Sequence, residues 1–176
     1  MLIETNLIEL RRVTSRSPVD VEYIRTVRNS FLHQNVYQDN HVIERKEHES
    51  WFSSLDSEKD YFFVIVEKSS QLRVGITGCY QKKASLGSGE VSIYITEASK
   101  SLMTPFHAMA LLLRFMFETV SLDRAFGVFL KTNKRALRFN ASFGFTKFYE
   151  DDEFIKTELT VNGFREKINN YRRFLL

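Results

Sequence analysis

Residues 89–145 read GEVSIYITEASKSLMTPFHAMALLLRFMFETVSLDRAFGVFLKTNKRALRFNASFGF, and this stretch decides the architecture. Its first eight residues alternate. Val91, Ile93 and Ile95 share one face and Glu90, Ser92, Tyr94 and Thr96 the other, which is the period of a strand with one buried side. From about Pro105 to Thr119 the chain is apolar almost all round. His107, Arg114 and Glu118 are the strongly polar exceptions, and at spacings of seven and four they fall on one narrow stripe. Such a helix is expected to lie buried against a sheet. Thr104 and Pro105 suit its N-cap and first helical position. RAFGVFL (124–130) reads as the next strand, and Lys134–Ser142 as a short helix stopped by Gly144 at the C′ position. Strand, helix, strand, helix is the alternation of an α/β fold.

Working outward, LIELRRV (7–13) reads as a first strand, Pro18 opens a helix to Ser30, and a second helix is expected from Arg45 to Leu55. YFFVIVE (61–67) and RVGITGCY (73–80) are rich in β-branched and aromatic residues and read as strands. In the tail, two strands are expected over 146–159 and 165–174, with Asn162-Gly163 as a hairpin turn. Only two prolines and seven glycines occur in the chain. No linker is signalled, so one domain over residues 1–176 is expected.

Composition narrows the class. With 43% hydrophobic and 27% charged residues in 176, wholesale disorder is excluded. The lone cysteine, Cys79, sits in an apolar run, which predicts a buried thiol rather than a nucleophile. It suits a reducing compartment. The net charge of +3 comes from 25 basic and 22 acidic residues that are scattered together, so no nucleic-acid partner is indicated. No apolar run approaches the ~20 residues of a membrane span, and the N-terminus has no leader pattern, so a cytoplasmic, membrane-free protein is expected. Four scattered histidines and one cysteine make no metal spacing.

Three motifs carry a resemblance. NKRALRFNASFGF (133–145) is similar to the Asn-x-x-Ala/Ser, short helix, Gly-Phe block of the GNAT superfamily of acyl-CoA-dependent N-acetyltransferases. IRTVRNS (24–30) and EHESWF (47–52) resemble the Arg-Asn and His-x-x-Trp-Phe marks of the branch holding ribosomal-protein alanine and sugar-nucleotide amine acetyltransferases. The tail with its Asn-Gly pair is the third likeness. The resemblance implies a mixed, mostly antiparallel sheet of about seven strands, splayed between its fourth and fifth, with about four flanking helices. It implies acetyl-CoA as co-substrate and a small-molecule or protein amine as acceptor. The loop before the long helix departs from the family's Arg/Gln-x-x-Gly-x-Gly/Ala. Lys100 keeps the cation, while Met103 and Pro105 stand in place of the glycines, so the pyrophosphate loop is degenerate.

The resemblance assigns roles residue by residue. Ile93, Tyr94 and Ile95 would offer backbone to the pantetheine. Lys100, Ser101, Leu102, Met103, Thr104 and Pro105 would form the pyrophosphate loop, and Asn133 and Ala136 the start of the short helix beside the cofactor. Glu90 or His48 would deprotonate the incoming ammonium, a step that is needed because only the free amine attacks the thioester. Asn140 stands where many members carry a proton-donating Tyr. It can hydrogen-bond a sulfur but is no acid. Arg28, Asn29 and Trp51 would contact the acceptor. Packing is the competing reading for His48 and Trp51, helix capping for Asn133, and a helix-end salt bridge for Arg28. Two further readings stay open: a GNAT-fold binding or regulatory module that has lost efficient acetyl-CoA use, and an enzyme for a longer acyl donor. The tail YRRFLL (171–176) is the expected contact if the chain forms a homodimer.

Overall fold

The computed structural model describes residues 2–32, 41–81 and 87–171. Eight strands form one sheet: β1 (Leu2–Glu4), β2 (Ile8–Arg12), β3 (Tyr61–Glu67), β4 (Arg73–Tyr80), β5 (Ser88–Ile95), β6 (Arg124–Leu130), β7 (Thr146–Glu150) and β8 (Phe154–Thr160). Five α-helices accompany them: α1 (Pro18–Ser30), α2 (Arg45–Ser53), α3 (Thr104–Arg114), α4 (Lys134–Ser142) and α5 (Val161–Tyr171). The spatial order is β1-β2-β3-β4-β5-β6-β8-β7, and every pairing is antiparallel except β5 with β6.

The centre of the sheet is buried on both faces. Along β3, Phe63 and Ile65 enter the core under α3, while the alternate residues Val64 and Val66 enter a second core under α1. That alternation is the pleat expressed as packing. In α3, Ala108 through Leu113 are all buried, as a helix apolar all round requires. Its polar stripe is divided. Arg114 pairs with Glu118 at 3.0 Å on the surface, but His107 is buried, with Nδ1 3.0 Å from the Thr5 hydroxyl. Past Arg114 the helix widens into a π turn, Phe115–Thr119, that keeps Phe115, Met116 and Phe117 in the core. Cys79 is fully buried, and burial pushes its thiol up to about 12, so it is an inert core residue.

Four expectations are corrected. First, among the described residues the sheet has eight strands and is accompanied by five α-helices, not about seven and four. The added strand, β1, folds onto β2 through a tight turn in which the Thr5 hydroxyl accepts the N–H groups of Leu7 and Ile8. Second, residues 146–159 do not form one strand. They turn at Asp151, whose carboxylate accepts the N–H groups of Glu153 and Phe154. Third, Asn162-Gly163 is not a hairpin, and 165–171 is helix. Gly163 N–H donates to Thr160 Oγ1 at 3.1 Å, a side-chain cap that starts α5, and Phe164 then lies buried 4.9 Å from Phe117. A cap plus a helically spaced anchor outweighs a local turn preference. Fourth, Met103 is the N-cap of α3, with Thr104 and Pro105 as its first two residues. Residues 172–176 of the tail suggested as a dimer contact lie outside the described residues. Among the described residues, no helix is long and apolar enough to cross a membrane.

Candidate active site

The site begins as a defect in the sheet. Parallel β5 and β6 pair only at Ser88↔Arg124, Gly89↔Ala125 and Glu90↔Phe126. Beyond these, β5 continues to Ile95 bonded to β4, and β6 to Leu130 bonded to β8. The strands therefore part toward their carboxyl ends, and each then leads into a helix, α3 after β5 and α4 after β6. In open α/β sheets this is where ligands bind.

A cavity of about 480 Å³ lies on the α1–α2 side of this split. Glu90, Ser92 and Tyr94 line it from β5, Val128 and Leu130 from β6, and Arg28, His48 and Trp51 from the helices. The alternation of β5 explains the set: Ile93 and Ile95 point the other way and pack on the main core. Of the acceptor-side candidates, Glu90, His48, Arg28 and Trp51 are thus brought to one cavity. Asn29 is not among them. Its amide donates to Ile43 O and accepts from Ile43 N, both at 3.0 Å, which ties the segment leading into α2 back onto α1.

His48 is 3% exposed, and its Nε2 donates to Val21 O at 2.9 Å. Burial lowers its pKa, more than the Val21 bond restores. The ring is therefore neutral near pH 7, with Nδ1 as its basic atom. Its ring centroid lies 5.2 Å from that of Trp51, which also meets Phe62 at 5.3 Å and Phe52 at 6.1 Å. Trp51 is both packing and cavity wall.

Asn133 caps α4, its Oδ1 accepting from Ala136 N at 3.1 Å. The Ala136 N–H is spent in that bond. Gly144 ends the helix with φ +92°, the left-handed conformation that glycine adopts without strain. Asn140 is buried in α4. Its Nδ2 donates to Ala136 O at 3.0 Å, and its Oδ1 has no partner among the described residues. The unpartnered atom is an acceptor, so as placed it is matched to an N–H rather than to a thiolate.

The loop before α3 has a different construction. Lys100 and Met103 are exposed and Leu102 is 90% exposed, while Thr104 is buried. Ser101 Oγ accepts from Met103 N at 3.1 Å. Ser99 Oγ and Thr104 Oγ1 donate to Glu67 Oε1 at 2.7 and 2.8 Å. An acyl-CoA fits the residues present. An extended pantetheine needs a strand edge, which β5 offers beyond Glu90. Phosphates need positive charge, and Lys100, Lys134 and Arg135 are exposed where α3 and α4 begin. Asn140 Oδ1 adds a buried acceptor.

Sequence reasoning missed Tyr80, Glu47, His41 and Phe154, which also line the cavity. Tyr80 lies directly across from Glu90 in the β4–β5 register, and His41 Nε2 is 2.8 Å from Glu47 Oε1. The register would have given the first. Nothing local signals the others. Among the described residues no cluster of His, Cys, Asp or Glu is arranged to hold a metal.

Comparison with known proteins agrees with this geometry. The family model for the acetyltransferase (GNAT) domain matches residues 8–146. The chain belongs to that family. Among solved structures, apo FdhC, a nucleotide-linked sugar GNAT, is similar at TM-score 0.82 and 22% identity, over 100% of this chain and 99% of that one. A GCN5-related N-acetyltransferase from Brucella melitensis is similar at TM-score 0.75 and 16% identity, over 100% and 86%. The ribosomal-protein-S5-alanine acetyltransferase of Vibrio fischeri gives 0.73 and 14%, over 93% and 98%. At these identities the likenesses establish the fold. No curated protein matches the chain.

Proposed function

We propose that the protein is an acetyl-CoA-dependent N-acetyltransferase acting on a primary amine, with a nucleotide-linked amino sugar or a protein N-terminus as acceptor. The observation that carries this reading is the cavity that joins the β5–β6 split to the α1–α2 face, with Glu90 and His48 both on its wall. Bound acetyl-CoA supplies the acetyl thioester. Glu90 takes the ammonium proton, with His48 Nδ1 as the second basic atom. Backbone N–H groups near Tyr94 and Ile95 hold the developing oxyanion. Arg28 pairs with an anionic group of the acceptor, such as the phosphate of a nucleotide sugar. The family members named for a nucleotide-linked sugar and for a ribosomal-protein alanine support these two acceptor classes.

The test is thiol release from acetyl-CoA across nucleotide-linked amino sugars and N-terminal peptides. Amine-dependent release is expected, and Glu90→Gln lowers kcat by about 100-fold or more while acetyl-CoA affinity is kept. No release with any amine overturns the reading in favour of a second one, a binding or regulatory module. That reading is favoured by Met103 and Pro105 in place of loop glycines and by Asn140 in place of an acid. The exposed Leu102 and Met103 also justify including longer acyl-CoAs in the screen.

A further inference from the structure

We propose that Glu67, the last residue of β3, is the positioning residue of the cofactor loop: its buried carboxylate clamps residues 99–104 into the shape that receives the cofactor's phosphates. The inference rests on the acyl-CoA reading above.

Glu67 is 2% exposed. A carboxylate so placed is costly unless its oxygens are satisfied. No ion pair holds it among the described residues. Its partners are instead the two ends of one loop. Ser99 Oγ and Thr104 Oγ1 donate to the same oxygen at 2.7 and 2.8 Å, across 32 and 37 residues of chain. Burial pushes the carboxyl up, but these hydroxyls and the backbone N–H groups of Ser101 and Lys100 outweigh it and hold it below its ordinary value. The clamp is itself anchored, since Glu67 N–H donates to Leu72 O and Glu67 O accepts from Gln71 N.

The geometry is selective. Glu67 grips the start of the loop, its middle and the first residue of α3, and so fixes how the exposed Lys100 is presented at the end of the cleft. A glycine-rich loop reaches a phosphate by backbone freedom. This loop has no glycine, and Pro105 follows it in the first turn of α3. Its shape must be imposed from outside, and the carboxylate on β3 imposes it. Glutamine at 67 would keep the size and one acceptor oxygen, but would turn an amide NH₂ toward the loop's own donors.

The experiment compares wild type, Glu67→Gln and Ser99→Ala by calorimetric titration with acetyl-CoA and by steady-state kinetics with acetyl-CoA and with acetyl-pantetheine, which lacks the pyrophosphate. Glu67→Gln is expected to weaken acetyl-CoA binding about tenfold and Ser99→Ala about threefold. The KM for the amine and kcat/KM with acetyl-pantetheine should stay unchanged. Hydrogen exchange of the amides at 100–104 should accelerate in Glu67→Gln. If Glu67→Gln does not fold, Ser99→Ala decides. Unchanged acetyl-CoA affinity in the folded variants overturns the proposal and leaves the enzyme reading standing. So does an equal loss with acetyl-pantetheine, which would mark a merely structural residue. If wild type itself binds no acetyl-CoA, both fall together.

Discussion

The two helices that follow the parallel strands begin in different ways. α4 is made locally: Asn133 caps it three residues ahead of Ala136, and Gly144 ends it in a conformation that other residues resist. α3 has no side-chain cap, and its first residue, Thr104, turns its hydroxyl to a carboxylate 37 residues back in the chain. One start is held by its own sequence neighbours and the other by a strand across the sheet. Both stand at the mouth of the same cleft. Tolerance to mutation should therefore differ, with local changes mattering at α4 and a distant one at α3.

Removing the long-range clamp should have the largest effect. Glu67→Ala leaves two hydroxyls and the loop's N–H groups facing an empty buried space, and should cost about 3 kcal/mol in urea denaturation. Gly144→Val comes next. Its backbone sits at φ +92°, and a side chain there should cost about 2 kcal/mol. Asn133→Ala should cost about 1 kcal/mol, with Asn133→Asp close to wild type. If Asn133→Ala proved as damaging as Glu67→Ala, the contrast between the two starts would be wrong.

The smallest effect is one of pH. Burial holds His48 and His107 below their ordinary 6.5. Between those folded values and 6.5 the unfolded chain binds more protons, so stability declines as pH falls through 6.5. Glu67 acts in the same direction but in a more acid window. It is held below 4.5, so its contribution is complete above 4.5 and is lost only as pH falls through its lower folded value. His107→Gln should lessen the fall of the urea midpoint between pH 7.5 and 5.5, with the share due to His48 remaining, and leave the acid limb set by Glu67 in place.

The same contrast explains what the sequence reveals. The alternation of 89–96, the apolar run of 105–119 and the Asn133-to-Gly144 helix are local signals: the strand and the short helix form where the pattern places them, and the apolar run forms as α3 continued by the π turn to Thr119. Misreadings occur where a distant partner decides. Asn162-Gly163 has the composition of a turn, but Phe164 gains the core against Phe117 and α5 forms instead. In the site, Glu90, Ser92 and Tyr94 are legible from alternation. Glu67 is not, because it looks like the polar end of a strand until the loop at 99–104 is brought against it. Tyr80 needed the β4–β5 register, and Glu47 and His41 needed the packing of α2.

The central claim is that the parting of β5 from β6 serves acyl-CoA. Its most direct test is calorimetric titration of the wild-type protein with acetyl-CoA, with desulfo-CoA as control. Micromolar binding is predicted, with the amides of residues 91–95 and 100–104 perturbed in the complex. No binding at millimolar acetyl-CoA would contradict the account.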